Sequence, residues 1–229
     1  MAADMGQGIS EVLPFAVGVA ISPVPIIAVI LMLLSRRAHV NGPTFLLGWL
    51  AGLSALSAAV YVVADTVGVS GSSSGSDGIA WLDVALGGFL LLVAGRSWRK
   101  RPAPGTEPEL PKWMADVDEI APGRALVLGV LLSAVNPKNL ALGVGAATGV
   151  AHLALPTGDA IVALAAFVVV GSLTVGGAVA FDLLGGARAK SSLEELRTWL
   201  EANNAAVMTV LFLVFGAVLV AKGLGLLSD

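Results

Sequence analysis

The sequence predicts an all-α integral membrane protein of six transmembrane helices, arranged as two inverted three-helix repeats whose first helices are broken by proline. Composition is the first ground. Of 229 residues, 56% are hydrophobic and 13% charged, with a mean hydropathy of +0.88, whereas soluble domains carry about 25% charged residues. Second, the apolar residues gather into segments long enough to cross a bilayer, which takes about 20 residues at about 1.5 Å each. Third, nearly all basic residues fall in alternate loops, the pattern that orients a multi-pass chain.

Val12 to Leu34 is the first apolar run, interrupted by Ser22-Pro23-Val24-Pro25. Met1 to Ser10 holds only Asp4 as a charge, so the basic start of a cleaved signal is missing and the run reads as a retained span. Phe45 to Val63 forms the second span, Ile79 to Ala94 the shorter third, Ala125 to Gly149 the fourth, Ala160 to Phe181 the fifth and Ala205 to Ala221 the sixth.

Arg36 and Arg37 follow span one; Arg96, Arg99, Lys100, Arg101, Lys112 and Arg124 follow span three; Arg188, Lys190 and Arg197 follow span five. Of the 13 basic residues only Lys138 and Lys222 fall elsewhere. Loops 64–78 and 151–159 contain no Lys or Arg, so both termini are expected outside (N-out/C-out) and the chain is expected in the cytoplasmic (inner) membrane. Residues 1–95 form the first repeat, 96–124 a cytoplasmic Pro-rich basic linker and 125–229 the second repeat. Within the second, Ser192 and Glu195 have capping-box spacing and Leu193, Leu196, Trp199 and Leu200 share a face, which predicts a short interfacial helix near 191–201.

The two halves align. Ala20-Ile21-Ser22-Pro23-Val24-Pro25 falls on Ala134-Val135-Asn136-Pro137-Lys138-Asn139, and the run Gly88 to Gly95 of span three falls on Gly216 to Gly223 of span six. Because each half has an odd number of spans, the second inserts upside down, an architecture that places a substrate site near the midplane where the discontinuous helices approach. Proline lacks an N–H and clashes with the preceding turn, so each tract frees backbone carbonyls that protein, water or ligand must satisfy. Ser22, Pro23, Pro25, Asn136, Pro137, Lys138 and Asn139 are therefore the candidate substrate-binding residues.

Lys138 is the sharpest of these. About 13 residues past Ala125, it lies roughly 20 Å into the membrane, where charge is costly and marks function. Three outcomes are open to it: deprotonation, capping of freed carbonyls, or pairing with an anionic substrate. Ser172 and Thr174 are candidates to line a polar path in span five, against the plainer reading that they bond their own helix. Gly48-xxx-Gly52 and Gly145-xxx-Gly149 permit close helix approach and fit packing within the chain and a homodimer alike.

The tracts Ala20 to Leu31, Gly48-Trp49-Leu50-Ala51-Gly52-Leu53 and Leu132 to Leu142 resemble the GAP/Sap group of actinobacterial glycolipid- and sulfolipid-addressing proteins, itself similar to a branch of the LysE exporter superfamily. The resemblance implies export or flipping of a cell-envelope glycolipid, with Ser22, Pro23, Pro25, Asn136, Pro137, Lys138 and Asn139 as the matching positions and envelope lipid-biosynthesis proteins as partners. Related thiol-electron carriers place cysteine beside the corresponding prolines, and this chain has none.

The remaining composition narrows the function. A net charge of -3 with no basic tract outside the loops argues against nucleic acid. The absence of cysteine excludes thiolate chemistry, and two histidines argue against a histidine-rich metal site. No ATP-binding fingerprint is present, so a transporter without cofactor is expected rather than an enzyme. The resemblance implies a membrane lipid or glycolipid as the substrate; a proton-coupled exporter of small solutes such as amino acids and a membrane scaffold for envelope lipid machinery are the competing readings.

Overall fold

A computed structural model describes residues 4–66, 73–99 and 120–225 of the chain. Most of the Pro-rich linker and part of the Gly/Ser loop lie outside these residues. The described chain is helical throughout: α1 (Met5–Ala20), α2 (Pro23–Leu34), α3 (Ala38–Thr66), α4 (Ser73–Arg99), α5 (Pro122–Val130), a π-helical turn (Leu131–Val135), α6 (Pro137–His152), α7 (Thr157–Gly171) and α8 (Leu173–Gly223). Gly186, with φ 57° and ψ -137°, divides α8 into α8a (Leu173–Gly186) and α8b (Arg188–Gly223). That left-handed turn suits a residue without Cβ.

Three helices are long and apolar enough to cross a bilayer, and three bent pairs pass the same test together. The pairs are α1 with α2, bent by 55°, the α5 and π segment with α6, bent by 59°, and α7 with α8a, bent by 53°. Counting each pair once gives the six expected crossings. The third bend has no proline. It falls at Gly171-Ser172, within the single span expected over Ala160 to Phe181, at a Gly/Ser pair of the kind that weakens a helix locally.

A second departure concerns residues 191–201. They do not form a separate helix but are the first turns of α8b, which runs unbroken for 36 residues, about 54 Å at about 1.5 Å per residue. Leu193 and Leu200 are buried while Leu196 and Trp199 stay exposed, so the amphipathic pattern seats a helix on the bundle rather than marking an independent element.

Close approaches at glycine fix the helix directions. Gly48 and Gly52 of α3 lie against Leu126 and Val130 of α5, so these helices run parallel. Gly8 of α1 lies against Ala163 of α7 and Gly171 against Val19, so these do too. In contrast, α1 and α6 are antiparallel, with Gly18 on Leu142, Phe15 on Gly145 and Glu11 on Gly149. Antiparallel α4 and α8b meet through Gly87 on Gly216 and Val220, and through Ala80 and Val84 on Gly223. The glycines therefore serve contacts within one chain. Exchanging the halves turns the α3–α5 contact into the α7–α1 contact and maps α4–α8b onto itself, as a two-fold relation between repeats requires.

At the centre stand α2 and α6. In α2 all of Ile26 to Ile30 is buried, with Met32 and Leu33, so the helix is apolar on every side. Its counterpart is thin, with Gly143, Gly145, Ala146, Ala147, Gly149 and Ala151 among its buried residues. The periphery carries exposed apolar side chains, including Leu92, Ile161 and Leu184, as a lipid-facing surface should. Trp81 and Trp98 are both exposed on α4. Seventeen residues separate them, about 26 Å along the helix, the spacing of two interfacial aromatic belts.

The α4–α8b register offers a direct check. A Cβ at Gly87 would lie 2.7 Å from the Gly216 carbonyl oxygen, whereas one at Gly88 would meet nothing within 4 Å. Gly87→Ala should therefore lose about 1–3 kcal/mol in SDS-induced unfolding of the detergent-solubilised protein. Gly88→Ala should be neutral or gain up to about 1 kcal/mol from helix propensity.

Candidate functional site

The site begins with backbone that the prolines cannot satisfy. At the end of α1 the Ile21 N–H donates to Val17 O at 3.1 Å, and the Ser22 N–H donates to Val19 O at 3.2 Å instead of reaching Gly18. Pro23 has no N–H to continue the ladder. Pro23 and Pro25 occupy the first turn of α2, where helical N–H groups have no intrahelical partner in any case. The cost of the break therefore falls on the carbonyls of α1.

Side chains from two other crossings meet them. Lys138 Nζ donates to Gly18 O at 2.6 Å, and Thr174 Oγ1 of α8a donates to Ala20 O at 2.5 Å. An amino group and a hydroxyl thus cap the carbonyl end of α1.

The second break repeats the problem on the other half. The Asn136 N–H donates to Leu131 O at 3.1 Å, a π-type bond that skips Leu132, and Pro137 cannot donate to Ser133. Asn139 answers with its side-chain amide, donating from Nδ2 to Leu132 O at 2.9 Å. Asn136 caps α6 by accepting from the Lys138 N–H at 3.1 Å. The two breaks are then joined directly, since Ser22 Oγ donates to Asn139 Oδ1 at 3.0 Å.

The expected residues separate into those the fold brings together and those it does not. Ser22, Lys138 and Asn139 meet at the centre and are 2%, 1% and 0% exposed. Pro23 and Pro25 are buried beside them, Asn136 is part-buried and Pro137 faces outward. Thr174 joins the cluster, whereas Ser172 Oγ donates to Val168 O at 2.6 Å within its own helix. Lys138 Nζ caps the Gly18 carbonyl, a bond that an amine or an ammonium can donate, and among the described residues no carboxylate lies within ion-pair distance of it.

A second polar group escaped the sequence reading. Glu11 of α1 accepts from Lys222 of α8b, in the space Gly149 leaves by lacking a Cβ, and Lys222 Nζ also lies 5.4 Å from the Phe15 ring centroid. Asp83 of α4 is buried nearby. Hydropathy places these residues near span ends without pairing them; only the antiparallel registers of α1–α6 and α4–α8b do so. Away from both groups, an open groove of about 940 Å³ lies along α4, apolar at Phe89 and Leu92 and ending at Arg96 and Arg99.

Lys138→Met should cost about 1.5–3 kcal/mol of stability, the loss of a charged hydrogen bond that leaves Gly18 O buried and unpaired. Thr174→Val should cost about 0.5–1.5 kcal/mol, the range for a neutral bond. A double-mutant cycle of Ser22→Ala with Asn139→Leu, read by SDS unfolding, should show a coupling of at least about 0.5 kcal/mol; additivity would mean the two breaks are not joined there.

Neither a curated protein nor a solved structure matches the chain. The family model described as Sap, sulfolipid-1-addressing protein, matches residues 12–225, a stretch that holds the whole hydrogen-bonded cluster and nearly every helix, and the chain therefore belongs to that family.

Proposed function

We propose that the protein is a transporter that flips or exports a cell-envelope glycolipid or lipid-linked sugar across the cytoplasmic membrane, with Lys138 meeting an anionic headgroup. Membership of a family named for sulfolipid addressing supports a role in handling envelope lipids. The observation that carries the finer reading is the bond from Lys138 to Gly18 O. It holds a cation at the centre of the bundle against a neutral carbonyl. A sulfate, phosphate or carboxylate adds the attraction of opposite charges to the hydrogen bond with an ammonium, so such a headgroup displaces Gly18 O and loosens the junction of the two broken spans.

In the arrangement described, that junction is closed, because Ser22, Lys138 and Asn139 are buried. Substrate access therefore requires the broken spans to part. Arg96 and Arg99 at the end of α4 suit an anionic lipid head beside the helix's exposed apolar face. Flipping makes and breaks no covalent bond, so the reading asks for no catalytic group.

The test is lipid flipping in proteoliposomes, read by dithionite bleaching of NBD-labelled phosphatidylglycerol and of a neutral NBD-labelled glycolipid. Lys138→Gln keeps a donor for Gly18 O and loses the charge. It should slow flipping of the anionic probe by about 10-fold or more, given the difference between charged and neutral hydrogen bonds, and leave the neutral probe unchanged. Equal anionic rates would remove Lys138 from the site. No flipping of either probe by folded wild-type protein would remove transport. If function in cells survived Lys138→Gln and vanished on deleting residues 106–118, the scaffold reading would replace it.

A further inference from the structure

Four helices converge on the side of the bundle opposite the basic loops. Ala80, Asp83, Val84 and Gly87 share one face of α4, and the contacts of Ala80 and Val84 with Gly223 and of Gly87 with Val220 place Asp83 against the last turn of α8b, beside Lys222. Lys222 is already bonded to Glu11 of α1, which rests on the Gly149 backbone of α6. Asp83 is 1% exposed and its Oδ1 has no hydrogen-bond partner. The charged groups that act on it from the helices packed around it are Lys222 and Glu11, while His152 of α6 is exposed at that helix end.

Two carboxylates thus face one ammonium, and the ammonium is committed to the more accessible of the two. The Glu11 and Lys222 side chains are 26% and 27% exposed, so the pair links Asp83 to the aqueous side. A buried carboxylate without a partner is costly as an anion, and neutralisation by a proton removes that cost. When Asp83 is neutral, Glu11 and Lys222 form a balanced pair; when it ionises, Lys222 is drawn between two anions on α1 and α4.

We propose that Asp83 is a proton-carrying site of the transporter, taking a proton from the outer aqueous phase onto its carboxylate and releasing it to water on the cytoplasmic side as the α1–α4–α8b contact rearranges. This rests on the transporter reading and supplies its energy source. In balance, one hydronium becomes water and the carboxylate becomes a carboxylic acid; no other group is altered.

The first experiment does not depend on transport. Dicyclohexylcarbodiimide, an apolar reagent that adds to protonated carboxyls within membranes, is applied to the reconstituted protein and the adduct mapped by peptide mass spectrometry. The expected adduct is at Asp83, declines as the medium is made alkaline, and disappears in Asp83→Asn, while Glu11 is spared until Lys222→Gln frees it. An adduct on Glu11 but not on Asp83 in wild-type protein, or one at Asp83 indifferent to pH, overturns the proposal. The second experiment imposes an outside-acid gradient on proteoliposomes carrying NBD-labelled phosphatidylglycerol. The gradient should speed flipping by wild-type protein several-fold and have no effect on Asp83→Asn, whose gradient-free rate persists. Equal acceleration of both overturns the coupling while leaving transport intact. A wild-type protein that labels at Asp83 and flips nothing overturns the transporter reading, and the coupling with it.

Discussion

A carbonyl freed by a helix break inside a bilayer has no water to turn to, and an unsatisfied one costs several kcal/mol. That constraint organises the centre of this protein. Gly18 O and Ala20 O at the end of α1 are capped from α6 and α8a, and Leu132 O before α6 is capped by Asn139, which is held in turn by Ser22. Lys138 and Thr174 both belong to the second half, so the broken span of the first half is completed only when the halves are assembled. Interdependence of this kind explains how three bent crossings coexist in one bundle. Each bend meets its neighbour at the same level, and the side chains there serve two helices at once.

The halves share a plan and differ in chemistry. Ser22 and Asn136 both precede the second segment of a broken span, and Pro23 and Pro137 both occupy its first position. Beyond that the matches diverge, since Val24 aligns with Lys138 and Pro25 with Asn139. Packing diverges too: the bulky aliphatic residues of α2 fill the centre, whereas the small residues of α6 let Phe15 and Glu11 of α1 approach closely. Span five bends at Ser172, while α3, its counterpart, is one helix of 29 residues. The polar side chains of the central cluster are thereby concentrated in the second half, with Ser22 alone from the first.

Much of this was legible in the sequence, for reasons that are local. Proline states where a helix cannot continue, so both proline-broken spans and their alignment could be read directly, and a lysine far from any loop identified the central residue. Other features depend on distant residues. The bend at Gly171-Ser172 carries no proline, and a Gly/Ser pair is compatible with a straight membrane helix until Thr174 finds Ala20 O. Continuity of residues 191–201 with the sixth crossing was hidden because a seated amphipathic helix and an interfacial one share the same periodicity. Gly88 and Gly95 align with Gly216 and Gly223, yet contact is made by Gly87 and Ala80, because antiparallel register rather than repeat alignment decides which residues face each other. The grouping of Glu11, Asp83 and Lys222 follows from the same registers.

The two polar groups sit on one pair of helices. Gly18 and Glu11 are seven residues apart on α1, about 10 Å, and Leu142 and Gly149 mark the corresponding depths on α6, with Lys138 one turn before Leu142. Because α1 and α6 run antiparallel and touch at Gly18, Gly145 and Gly149, parting the spans at Lys138 cannot leave the Glu11 seat undisturbed. On the proposed function, headgroup binding at the centre and proton occupancy at Asp83 share one helix–helix contact, that of α1 with α6. Linkage makes the relation reciprocal: whatever a bound headgroup does to the proton affinity of Asp83, a proton there does to the affinity for the headgroup.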